Sequence, residues 1–578
     1  MICSSHVYRH RPQPQLSPRH LVARRLARRQ QDPPAHPGQP LPLAPGKVES
    51  LRRLLRDEPL VSPQDLLTTQ KTLPHGHVEA LLLAVRKLGL DAVIASKPCR
   101  ERDLVLAMIV QRLLDPCSKL ATTRQWHSTT LAEELGVSDA SEDELYQAMD
   151  WLLERQPRIE NKLAARHLRE GSLVLYDVSS SYYEGRHCPL AKYGHDRDGQ
   201  KGLPIIVYGL MTDHEGRPIA GEVYPGNTGD PTTVVDQVNK LRERFQLSRV
   251  VLVGDRGMLT QPQIEKLKAH PQMGWITALT NVAIRGLLVE GALQLSLLDE
   301  KNLIEIQSAD YAGERLMVCY NPLLAEERKR KREELLQATE KALSRIVKEV
   351  ERRKQKPLTA IEIAFKVGKV LGKYKMSKHF THTIEQGKLS WSRRLEAIEQ
   401  EAKLDGIYVL RTSETAEQLS AADTVRGYKS LAQVERAFRS LKGLDLLIRP
   451  IRHRTEERVP AHIFLCMLAY YVEWHLRRVW APLLFEDEEL SEQRQRRDPV
   501  LPARSSESAQ AKKLTHQTAD GLPVQSFTTL LSDLASRARV TYTLKSDKSG
   551  PTFQQVPPPT PLQARAHELL DLLSVAGN

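Results

Sequence analysis

The sequence predicts a mixed α/β sheet with flanking helices, interrupted by a large insertion subdomain and preceded by a helical N-terminal domain. Three observations lead there. Apolar residues three and four apart dominate 75–169 and give way near residue 171 to short apolar runs. Over 171–280 the order is strand, two-stranded hairpin, helix, strand, helix, strand, which suits a sheet covered by helices. After a long excursion over 281–420, a last strand leads into an amphipathic helix within 421–480.

Residues 1–46 carry Arg9, Arg11, Arg19, Arg24, Arg25, Arg28 and Arg29 among prolines and glutamines. Such a composition cannot bury enough apolar surface to fold, so it reads as a disordered basic tail. Its prolines oppose a transit-peptide helix, and it has no signal-peptide apolar run. The segment 75–169 (VEALLLAVRKLGL, ERDLVLAMIVQRLLDP, EDELYQAMDWLLERQPRIENKLAARHL) reads as several helices, equally a DNA-binding module or a structural bundle.

LVLYDVSSSYYEG (173–185) reads as a buried strand delivering Asp177 at its end. IIVYGLMT and PIAGEVYP flank Asp213-His-Glu-Gly and read as a hairpin, followed by a helix over Thr232–Phe245. VVLVGDRGML is a further strand with Asp255 at its end, then come a helix over Gln261–Ala269 and the strand WITAL. Either aspartate alone reads as a cap or turn former; two on successive sheet segments suggest a site. Asp196-Arg-Asp-Gly begins like a calcium loop but lacks the later acidic ligands, so it reads as a turn.

The excursion holds KNLIEIQ, ERLMVCY and a charged helix over Ala325–Lys356, whose basic run ERKRKR reads as a solvated face or hairpin arm. DGIYVLRTS (405–413) reads as a strand leading into the next helix, so the excursion is a subdomain that returns the chain to the site. GYKSLAQVERAFRSLKGLD (427–445) then places Tyr428, Glu435 and Lys442 at intervals of seven, close to two helical turns, beside an apolar stripe of Leu431, Val434, Phe438 and Leu441. HIFLCMLAYYVEWHL contains His462, Glu473 and His475 and is shorter than the ~20 apolar residues of a membrane span, so a core helix is expected and no membrane partner. Residues 486–578 read as a polar linker and a tail without an assigned role.

Lys+Arg 84 against Asp+Glu 71 gives 578 residues a net charge of +13, which favours a polyanionic partner, nucleic acid first, with enough acid left for a metal site. Six cysteines without a CxxC pair exclude a zinc cluster or a dense disulfide framework and fit a reducing compartment. Two hard cations sharing oxygen ligands need several carboxylates, and Asp177, Asp255 and Glu435 supply them from two strands and a helix.

These three blocks in this order resemble the DDE transposases of bacterial insertion sequences, in the group whose glutamate helix carries a Tyr, Arg, Glu, Lys signature. YDVSSSYYEG and VLVGDRGM look like the first two catalytic blocks. Tyr428, Glu435 and Lys442 match the signature, while Leu431 stands where that group usually has arginine. The resemblance implies a ribonuclease-H-like catalytic domain made of 171–280 and 421–480, with Asp177, Asp255 and Glu435 as catalytic metal ligands for two Mg²⁺ or Mn²⁺ ions. It implies that Tyr428 and Lys442 contact DNA phosphates, with Arg436 and Arg439 compensating for Leu431. The implied partners are double-stranded DNA, both element ends and target, and a second copy in a synaptic dimer. The implied reaction is cut-and-paste strand transfer in the bacterial cytoplasm, on nucleoid DNA. A nuclease or resolvase without strand transfer, or a transposase-derived DNA-binding protein, are the alternative readings. Glu414, Glu417 and Asp445 are the next acids to consider in place of Glu435.

Overall fold

The computed structural model describes residues 45–56, 67–270, 272–299, 301–544 and 551–573. The tail expected over 1–46 therefore lies outside the described residues, except for its last two. Residues 69–542 and 553–573 belong to one compact unit; the other described residues belong to a second, whose main element is the helix Pro45–Leu55.

In the larger unit, helices between Gly76 and His167 include α1 (Arg100–Leu114) and α2 (Glu142–His167). Ser141 and Glu144 form a reciprocal cap at the start of α2, satisfying two backbone N–H groups that the first turn leaves open. These helices bury Leu81, Ile109, Leu145 and Leu152 in the same apolar core as the C-terminal helices.

The sheet has eight strands: β1 (Ser172–Tyr182), β2 (Ile205–Asp213), β3 (Pro218–Pro225), β4 (Val250–Val253), β5 (Met273–Ala278), β6 (Leu303–Ile306), β7 (Arg315–Tyr320) and β8 (Ile407–Thr412). Their spatial order is β3-β2-β1-β4-β5-β8-β7-β6. β1, β2 and β3 form an antiparallel meander; β4 lies parallel to β1, and β5 parallel to β4. That order and direction of the first five strands is the ribonuclease-H-like arrangement. The parallel strand β4 is entirely apolar and buried, as a strand covered on both faces must be.

Two expectations change here. Asp177 does not end its strand, because β1 continues to Tyr182 against β2; what ends is the pairing with β4, whose last matched residues are Leu175 and Val253. The strands expected to interrupt the sheet, β6, β7 and β8, instead extend it, through β8 on β5. Only the chain between Tyr320 and Ile407 has a separate core, built by α3 (Pro322–Arg352), α4 (Ala360–Tyr374) and the hairpin Phe380–Glu385/Lys388–Arg393 around Leu336, Leu343, Ile363 and Val367. The basic run on α3 is occupied within the chain: Arg328 donates to the Leu404 carbonyl (3.2 Å), Arg330 pairs with Glu334 (2.6 Å) and Arg332 with Asp405.

After β8 come α5 (Ala421–Lys429), α6 (Leu431–Lys442) and α7 (Arg458–Val479). α7 is buried along most of its length between α1, α2, β3 and α6. Its acid Glu473 is fully buried; it pairs with Arg477 (2.6 Å) and accepts from Ser440 (3.3 Å), which offsets part of the cost of burying a charge, though burial still raises its carboxyl above the usual range. Among the described residues no helix is long and apolar enough to cross a membrane. The expected linker after 486 is tied down: Arg426 donates to the carbonyls of Arg494 and Gln495, and Lys429 to those of Val500 and Leu501.

Candidate active site

Asp177 and Asp255 are brought together by strand register. β1 and β4 pair with an offset of 78 positions, Leu175 against Val253, and the same offset carries Asp177 to Asp255 two residues further on. β4 has ended by then, so Asp255 lies in the turn Gly254–Gly257. Its Oδ1 accepts from the backbone N–H groups of Gly257 (3.0 Å) and Met258 (2.7 Å). One carboxylate oxygen is thereby fixed by the backbone, which sets the direction of the other.

The third acid comes from α6. The single helix expected over 427–445 is in fact two, since the chain breaks at Ser430, whose N–H bonds to both Arg426 and Gly427 carbonyls. Tyr428 therefore sits on α5, and the seven-residue row is not one continuous helical face. α5 lies close on the sheet because Gly427 has no side chain: a Cβ there would stand 3.1 Å from Leu173 and 3.2 Å from Ile276. α6 buries Val434, Ala437, Phe438 and Leu441, with the Phe438 ring edge-on to Tyr208 at 5.9 Å, and leaves Glu435 and Arg439 exposed.

Asp177, Asp255 and Glu435 all line one cleft of about 490 Å³, together with Asp198, Asp230, Arg197, Arg439, Lys442 and Arg449. The Asp177 carboxyl is pushed up to about 7, chiefly by burial and further by the charges of Asp255 and Glu435; the Val178 N–H (2.8 Å) and Arg197 act in the opposite sense. Burial, with the same two acids, also pushes the Tyr428 phenol up to about 12, so it remains a neutral hydrogen-bond donor beside them.

The other expected DNA contacts divide. Arg439 is exposed at the cleft. Lys442 is at the cleft but pairs with Asp198 (2.9 Å). Arg436 is not there: it pairs with Glu486 (2.7 Å) and lines a different cleft with Trp474 and Arg477, so it cannot stand in for the arginine replaced by Leu431. Leu431 itself is packed against the core. Of the substitute acids, Glu414 pairs with Arg249 (3.1 Å) and Asp445 with Arg477 (3.1 Å), and neither they nor Glu417 line the cleft. Sequence reasoning missed Arg197, Asp198, Asp230 and Arg449; the signal was the acid density of Asp196-Arg-Asp-Gly, set aside as a turn.

The donor set fits hard divalent cations, since all three acids offer oxygen and Asp255 keeps Oδ2 free of backbone N–H groups. Among the described residues, no group of three or more acid, histidine or cysteine side chains is drawn together closely enough to hold a metal ion, and the three acids line an open cleft.

The family described as Transposase DDE domain matches residues 170–472, which span the sheet, the excursion and all three acids. No curated protein matches. Among solved structures, the cryo-EM structure of the piggyBac transposase synaptic complex with hairpin DNA (SNHP) is 12% identical, covering 76% of this chain and 88% of that one at a TM-score of 0.25.

Proposed function

Because the chain belongs to the Transposase DDE domain family, we propose that it binds the ends of an insertion sequence and catalyses DNA strand cleavage and strand transfer by cut-and-paste transposition. The observation that carries the reading is the convergence of Asp177 and Asp255, by strand register, with Glu435 on one open cleft. Asp177, Asp255 and Glu435 would hold two Mg²⁺ or Mn²⁺ ions, which lower the pKa of an attacking water or 3′-hydroxyl and stabilise the leaving oxygen.

The chain's own groups do the rest. The backbone clamp on Asp255 fixes that carboxylate before DNA arrives. Arg439 offers an exposed guanidinium to a phosphate at the cleft, and Tyr428 a protonated phenol. The partner is double-stranded DNA, both element ends and target, held by a dimer in a synaptic complex. The setting is the bacterial cytoplasm, on nucleoid DNA.

The test is incubation of the purified protein with its element's ends, Mg²⁺ and a target plasmid, with joined products expected. Ends that are cut but never joined would make the protein a nuclease. Glu435→Gln keeps the size of the side chain and removes its charge, so it should lower cleavage by more than about a hundredfold while leaving DNA binding near wild type. Cleavage by this variant at the wild-type rate would remove Glu435 from the site.

A further inference from the structure

We propose that Asp198 is a positioning residue that holds Lys442 and Arg449 as a pair of phosphate-binding cations on the cleft wall. This rests on the proposed action on DNA. The Asp198 side chain is only 1% exposed, and each of its oxygens is committed. Oδ1 accepts from Lys442 Nζ (2.9 Å) and Arg449 Nη1 (2.5 Å), and Oδ2 accepts from the Tyr182 backbone N–H (3.1 Å). Arg449 Nε also donates to the Lys442 carbonyl (3.1 Å). Among the described residues, Asp198 is the only carboxylate paired with either cation; the neighbouring Arg197 is taken by Asp230 (2.5 Å).

The turn Asp196-Arg-Asp-Gly builds this anchor. Asp196 Oδ1 accepts from the Asp198 N–H (2.8 Å), and Gly199 continues the turn at φ 74°. Asp198 is thereby aimed inward, at the end of β1. A carboxylate on a DNA-binding wall would repel phosphate if it stood alone, but one buried anion beneath two cations leaves a net positive charge. Without the anion, Lys442 and Arg449 would be like charges side by side, and each loses the bond that fixes its direction. Because Asp198 is buried and bonded to backbone, phosphate binds to the remaining N–H groups of the cations and does not displace it.

The sign of one measurement separates this from a plain charge count. Asp198→Asn removes a negative charge from the cleft, so charge alone predicts tighter DNA binding. Positioning predicts the reverse. With a labelled random-sequence duplex, Asp198→Asn should bind roughly tenfold more weakly than wild type. In a Lys442→Ala/Arg449→Ala background the same change should alter binding by less than about twofold, because the groups it acts through are gone. Tighter or unchanged binding, or equal weakening in both backgrounds, overturns the proposal. Should the Asn variant not fold, Asp198→Glu, which keeps the charge and displaces it by one methylene, enters the same comparison with the same expected direction. Since the comparison reads binding, a wild-type protein that binds the duplex but cuts no element end would overturn the proposed function alone.

Discussion

Ionising Asp177 in the absence of metal should destabilise the fold, and Asp177→Asn should relieve it. The carboxyl stands at about 7 against an ordinary 3.8, so between these values the folded state holds more protons than the unfolded one. Stability contributed by the protonated acid is therefore complete at low pH and is lost as pH rises to about 7, the reverse of an ion-paired aspartate. The full gap corresponds to about 4 kcal/mol. By linkage, the cost is about 2 kcal/mol near pH 5 and about 4 kcal/mol near pH 8.5, so the advantage of the Asn variant should grow by roughly 2 to 3 kcal/mol between them. If the residues of the family match unfold together, this is a relative shift of about 4 °C in midpoint. The assay is thermal unfolding of both proteins in chelator at the two pH values. Adding Mg²⁺ at high pH should stabilise wild type, by about 2.7 kcal/mol at a hundred times its dissociation constant, and the variant much less. A variant with the same advantage at both pH values, or one less stable than wild type near pH 8.5, would refute the reasoning.

Arg439→Ala should weaken binding to duplex DNA and lower its salt dependence by about one counterion, whereas Arg436→Ala, which loses only its pairing with Glu486, should leave both unchanged; a salt titration of affinity separates them. Gly226→Ala should destabilise by at least about 2 kcal/mol, because its Cβ would meet the backbone oxygens of Ile205 (2.0 Å) and Lys192 (2.4 Å) and push the chain away from the start of β2; denaturant unfolding reads this directly.

The elements that were legible in the sequence are those whose pattern is local. Val250–Val253 could be read as a buried strand because a strand covered on both faces has no polar position, and the apolar stripe of α6 was visible for the same kind of reason. Asp177 and Asp255 could be named, but not the register that unites them, since pairing is a property of two strands. The break at Ser430 was hidden because nothing in Lys429-Ser-Leu forbids a helix, and Ser430 itself keeps helical dihedrals (φ −65°, ψ −16°). Asp198 was hidden more deeply, as the cations it holds lie more than two hundred residues away and a turn is also what its immediate neighbours encode.

The pairing of Tyr320 with Ile407 makes the chain between these two residues exchangeable. The chain leaves the sheet at one of these residues and returns at the other, so the open ends of the loop already lie at the spacing of neighbouring strands. A short turn could join them, and loop-closure entropy rises only slowly with length, by about 0.6 kcal/mol per doubling. The sheet thus places few demands on the size or sequence of what is carried between β7 and β8. That span can be enlarged, trimmed or replaced by a different module while Asp177, Asp255 and the helix bearing Glu435 keep their places.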